Sequence, residues 1–175
     1  QWGRVEYGLA GGRLNTDAID NSAGVDCSDH EVNIKILIDS VVAEGRLDRD
    51  GRNALLVRMT DEVGRLCLLG NYQQSQTISQ AQSQGVAVLD DQVRLMRVLE
   101  REAELNRGVE YLPDDETISE RENRGQCLTR PEIAVILSYA KNWIFSELLE
   151  TDYPDDPFLE HLLIDYFPEE LTAKY

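Results

Sequence analysis

Positive charge is scarce in this sequence: 17 Lys and Arg stand against 33 Asp and Glu, a formal net charge of −16. Neutralising phosphates takes clustered Lys and Arg, and no such cluster is present, so nucleic acid and anionic membrane are poor partners. Cysteine is scarce too. Cys27, Cys67 and Cys127 are odd in number, far apart and without CxxC spacing. That pattern predicts free thiols in a reducing compartment rather than disulfides or a zinc site. No apolar run approaches the about 18 residues of a membrane span, and no signal peptide opens the chain, which predicts a cytoplasmic protein. GxGxxG, P-loop and triad signatures are all missing, so no reaction can be named from a motif alone. There is no opening methionine, and the chain stops at LTAKY just after a helical pattern. Both ends have the look of a segment cut from a longer polypeptide.

What is present is ordinary globular material, with 42% hydrophobic and 29% charged residues over 175 positions. That length suits one domain, or one domain plus a piece of another. The first 26 residues are rich in glycine and lack a sustained helical period. Arg4 to Tyr7 and Asn15 to Ile19 read as short extended segments joined at Gly11-Gly12, too few strands to form a sheet of their own. From Ser28 onward the signals are helical. Ile34, Leu37, Ile38 and Val41 share a face, and Gly45 is a natural stop. A short helix is expected over Gly51 to Met59, and Thr60 with two following acids reads as the cap of a longer one. Leu89, Val93, Met96, Leu99 and Ala103 form an amphipathic stripe. An acidic helix is expected from Asp114. Thr129-Arg130-Pro131-Glu132 is a capping box with proline in the first turn, and the apolar body behind it predicts a central buried helix. A last amphipathic helix is expected between Phe158 and Phe167. Residues 71–85 carry six glutamines and three serines. They read as the solvated second half of a long helix anchored by Tyr72, Ile78 and Ala81 rather than as an aggregation-prone tract. The expected fold is mainly all-α, a helical bundle preceded by a short extended segment left over from a Rossmann-type domain.

The polar stretch NSAGVDCSDHE, residues 21–31, is where chemistry could lie. Ser28-Asp29-His30-Glu31 fits a capping box, with Ser28 accepting from the backbone and Glu31 reaching back. That leaves Asp20, Asn21, Asp26 and the small trio Ser22-Ala23-Gly24 unexplained, and small residues let a ligand approach the backbone closely. Asp26, Cys27, Asp29, His30 and Glu31 are clustered in sequence. HExxH and His-x3-His spacings are absent, however, and the mixture of ligand types is not one a particular metal selects, so no metal is expected. His30 reads as a hydrogen-bonded residue at a helix start. Asp48-x-Asp50-Gly51 lacks the other ligand positions of a calcium loop and reads as a turn into a helix. Cys27 has no evident base and is not expected to act as a nucleophile.

Four stretches, GGRLNTDAIDNSAGVDCSDHEVNIKIL, RNALLVRMTDEVGRLCLLGNYQQSQTIS, CLTRPEIAVILSYAKNWIFSELL and DYPDDPFLEHLLIDYFPEEL, closely resemble the large bacterial NAD-specific glutamate dehydrogenases. The resemblance covers nearly the whole chain in order. It implies a fragment in which residues 1–45 end the NAD-binding and catalytic domain and residues 46–175 are a helical region. Compared with the smaller hexameric glutamate dehydrogenases, Asn21, Gly24, Val25, Ser28 and Glu31 fall on the motif Asn-Ala-Gly-Gly-Val, two residues, Ser, two residues, Glu-Trp. Ser22, Ala23 and Val32 depart from it. The resemblance implies contact with NAD for Asn21 and Gly24, and with L-glutamate or 2-oxoglutarate for Ser28 and Val25. It implies no catalytic residue here, because the family's catalytic lysine and aspartate and its glycine-rich loop find no match; the segment alone should be inactive. A homo-oligomer is expected. The alternative is a helical interaction module with no catalytic share.

Overall fold

In a computed structural model of the chain, the structure describes residues 1–20 and 22–175, and the side chains of all of these except residues 22 and 23. The described residues are helical throughout, joined by turns. The α-helices are α1 (Trp2–Leu9), α2 (Asp17–Asp20), α3 (Ser22–Ala43), α4 (Arg49–Arg58), α5 (Thr60–Ser83), α6 (Leu89–Glu102), α7 (Arg107–Glu110), α8 (Asp115–Asn123), α9 (Arg130–Leu149), α10 (Glu160–Tyr166) and α11 (Glu169–Thr172). None is long and apolar enough to cross a membrane. The chain divides into two compact units, one of residues Gln1–Asp20 and Tyr72–Thr151, the other of residues Asn21–Asn71 and Asp152–Tyr175.

In the first unit α1, α2 and α6 pack on α9. The predicted stripe of α6 is the core: Leu89, Val93, Met96 and Leu99 are buried, together with Ile78, Leu128, Ala134 and Ile136. The capping box at Thr129 is present. Glu132 accepts from the Thr129 backbone N–H at 2.7 Å and, at 2.9 and 3.0 Å, from Nη1 of Arg121. This is a buried ion pair, since Glu132 is wholly inaccessible and Arg121 nearly so. Arg130, also buried, has no carboxylate partner among its hydrogen bonds and donates instead to Ser79 Oγ and Asn15 Oδ1. The glutamine-rich tract is the second half of α5, anchored by buried Ile78 and half-buried Ala81; Tyr72 is exposed.

Three expectations are corrected here. Arg4 to Tyr7 lie in α1, and Asn15 to Ile19 run through a turn into α2, so the extended segment is absent among the described residues. Val5 and Ile19 are buried, and one apolar contact per helical turn is enough to dock so short a segment on a neighbouring helix, with no strand partner needed. Second, α9 is buried only from Arg130 to Ile136; Ile144, Phe145 and Leu149 are exposed. Third, Thr60 does not cap α5 through its side chain, because α4 and α5 are separated by Met59 alone and Thr60 Oγ1 donates back to the Leu56 carbonyl.

In the second unit α3 packs on α4, and Ile34, Ile38, Leu55, Met59 and Leu171 make the core. Asp48 caps α4, accepting from Gly51 N at 2.7 Å. Past the end of α3, Gly45 sits at φ 71°, a left-handed conformation that closes the helix as its sequence predicts. Glu62 accepts the backbone N–H of Glu169 at 3.0 Å, where the positive end of α11 favours a carboxylate.

Candidate functional site

Helix α3 carries every described residue of the NSAGVDCSDHE stretch. It begins at Ser22, so Ser28 lies inside the helix, one and a half turns from its start, and the predicted capping box does not form there. The physical reason is continuity. Nothing between Ser22 and Ser28 breaks a helix, and Ile34 and Ile38 anchor the same helix in the core. Glu31 does not reach back. It pairs with Lys35 one turn on, and that hydrogen bond holds its carboxyl below the usual range.

Gly24, Val25 and Ser28 are separated by helical steps of three and four, which puts them on one face, and all three are exposed. The first turn of α3 contains no acidic residue, so the positive end of the helix is not neutralised by a carboxylate of that turn. Asn21 lies outside the described residues.

A different face of the same helix meets α5. His30 is buried, its Nε2 is 3.8 Å from Asp26 Oδ1, and its ring stacks on Tyr166 at 4.4 Å. Tyr166 is itself fixed, its hydroxyl accepting from Asn33 Nδ2 at 2.8 Å. His30 Nδ1 is buried without a hydrogen-bond partner. His30 is therefore an interior residue in the third turn of α3 and not at its start. Cys27 Sγ stands 3.2 Å from Cys67 Sγ. The sequence places these cysteines forty positions apart, and nothing in LCLLG marks Cys67 as more than an apolar residue. Burial pushes the Cys67 thiol up to about 12, with the Cys27 contact and the charge of Asp26 adding to it, so it is a neutral thiol at physiological pH. Beside Cys27 a cavity of about 590 Å³ opens, lined by Glu31, Ile34, Met59, Val63 and Gly64.

Residues 1–81 match the family model described as "Bacterial NAD-glutamate dehydrogenase, catalytic domain", and residues 125–175 match "Glutamate dehydrogenase, C-terminal". The chain is 49% identical over 175 residues to an NAD-specific glutamate dehydrogenase of Pseudomonas aeruginosa and 45% identical over 175 residues to that of Halomonas elongata. It is 43% identical over 173 residues to that of Mycobacterium tuberculosis. Each alignment takes in 99–100% of this chain but 11% of the relative. With both family models matched in order and this identity sustained from end to end, the chain belongs to the bacterial NAD-specific glutamate dehydrogenase family, and it spans about 11% of the length of the relatives it matches.

Proposed function

We propose that this chain supplies one wall of the active site of an NAD-dependent glutamate dehydrogenase, which converts L-glutamate, NAD and water to 2-oxoglutarate, ammonium and NADH. The observation that carries the reading is the joint exposure of Gly24, Val25 and Ser28 on the first two turns of α3, within the stretch that matches the catalytic domain. Residues 1–45 take this catalytic share and residues 46–175 form a helical region. Gly24 has no side chain to hold a ligand away, and a helix start free of acids suits an anionic group. Asn21 and Gly24 would hold NAD, and Ser28 and Val25 would contact glutamate. Ser28, with its hydroxyl exposed rather than engaged in a cap, can donate to a substrate oxygen, while Val25 bounds the apolar part of the substrate. Bound NAD accepts the hydride from the substrate α-carbon; the protein's part is to orient and polarise. No catalytic residue is assigned in this chain, and by itself it should be inactive. Three free cysteines support a reducing, cytoplasmic setting.

The test is Ser28→Ala and Asn21→Ala in the whole enzyme. Ser28→Ala should raise KM for glutamate about tenfold, the loss of one hydrogen bond to a charged group, and Asn21→Ala should raise KM for NAD. Wild-type Michaelis constants for both ligands would remove the assignment.

A second reading, assembly, is favoured by the exposed apolar residues Ile144, Phe145 and Leu149 in the second half of α9. Residues 46–175 would then serve a homo-oligomer. Light scattering of the whole enzyme with and without this region decides it: an unchanged oligomer leaves the assembly role without support.

A further inference from the structure

The proposed contacts with glutamate and NAD leave unused the cluster that α3 and α5 build on another face. Asp26, His30 and Cys67 each present a ligand atom within 4.8 Å of the others, and Cys27 Sγ adds a fourth donor 3.2 Å from Cys67 Sγ. The linear sequence offered too many candidates of too many kinds. Folding sorts them. Asp29 and Glu31 are exposed, and Glu31 is committed to Lys35. Cys67 arrives from α5 in their place. What remains is one carboxylate oxygen, one imidazole nitrogen and two sulfurs.

The surroundings are those of a site rather than of a chance contact. His30 and Cys67 are 5% and 3% exposed, and His30 Nε2 faces Asp26 Oδ1 at 3.8 Å. Asp26 and Cys27 are only half-buried, which leaves an entry path. On α5, a Cβ at Gly70 would lie 3.1 Å from Asp26 Oδ2, so the glycine leaves that carboxylate room. Tyr166, itself held by Asn33, stacks on the face of the His30 ring and fixes its plane.

We propose that Asp26, Cys27, His30 and Cys67 bind a thiophilic divalent cation of the zinc class. Magnesium and calcium take hard oxygen ligands and are excluded by two sulfurs, whereas zinc accepts sulfur, imidazole and carboxylate together. Three donors already lie together, and Cys27 Sγ, beside Cys67 Sγ, would complete a tetrahedral shell, so the ion is structural: it clamps α3 to the first half of α5. Binding releases the thiol protons to solvent, with no change of oxidation state.

The test uses the full chain, purified reduced, stripped with chelator, and titrated with cobalt(II) alone and with zinc(II) alone. One cobalt per chain should bind with a thiolate-to-cobalt charge-transfer band, and one equivalent of zinc should bleach it. Cys67→Ser and His30→Ala should each weaken binding roughly a hundredfold or more, at or beyond the top of the range for losing an outer-shell partner, and Tyr166→Ala about tenfold. Asp29→Asn should change nothing. A folded, reduced chain that shows no charge-transfer band overturns the proposal, and this readout needs no variant to fold. Binding undiminished in both ligand variants overturns it as well. So does a Cys27–Cys67 disulfide, without metal, in protein isolated under thiol-blocking conditions. None of these results bears on Ser28 or Asn21, whose test is kinetic.

Discussion

The two units are held together by different means. The first has a broad apolar core, the stripe of α6 against the buried half of α9, and beneath it a buried charge pair, Arg121–Glu132, tied into the start of α9. The second has a smaller apolar cluster among its described residues, Ile34, Ile38, Leu55, Met59 and Leu171, and sets beside it a polar and sulfur-bearing cluster that a core built for stability alone would not need. Stability comes first in one, and room for chemistry in the other. A unit with little apolar area to spare is the one that gains most from a bound ion.

The largest effect should come from the buried pair. Glu132→Ala leaves the Arg121 guanidinium buried and unpaired, removes the capping box, and should cost about 3–5 kcal/mol in chemical denaturation. A loss near 1 kcal/mol would mean that water reaches Arg121 and that the first unit is looser than its core implies. Next, Leu171→Ala empties a wholly buried position of the smaller core, and a loss of about 2–4 kcal/mol is expected. Hydrogen exchange should then quicken in α3 and α4 while amides of α6 and of α9 from Ile133 to Leu137 keep their protection. Equal quickening in both would show that the two units unfold as one and would erase the comparison.

The smallest effects are those of pH, and they differ in sign. Asp115, hydrogen-bonded to Arg107 and Arg97, and Glu170, hydrogen-bonded to Arg58, both have pKa values held below the ordinary carboxyl range. Each contributes stability that is present above the unfolded-state value of about 4 and is lost as pH falls through the folded value, so acid weakens both units alike. Alkali should not. The Cys67 thiol ionises from an ordinary 9.0 in the unfolded chain but only at about 12 in the folded one. The metal-free folded state therefore holds its proton longer, and stability should fall as pH rises from 9 towards 12. Thermal melts across that range should show the loss in the native chain and a flatter profile in Cys67→Ala.

Much of the helical framework was legible because its signals are local. The α6 stripe, the Thr129 capping box, the Asp48 turn and the Gly45 stop each rest on residues within one or two turns of one another. The same locality misled at Ser28. A serine three residues before a glutamate reads identically at a helix start and inside a helix, and only the continuity of α3 back to Ser22 distinguishes them. Likewise the apolar body of α9 forecast a helix buried along its length, yet composition cannot say which turns have a neighbour. Of the site, Gly24, Val25 and Ser28 were visible through a motif, whereas Cys67 carried no signal at all.

By itself the sequence determined where most helices run after residue 28, that their surface is acidic, and to which family the chain belongs, because periodicity, charge and identity are properties of the chain in order. Tertiary structure alone decided that the first residues are helix rather than strand, which half of α9 is covered, and that Cys67 meets Asp26, Cys27 and His30. Those outcomes depend on which surfaces pack together, and packing joins residues far apart in sequence.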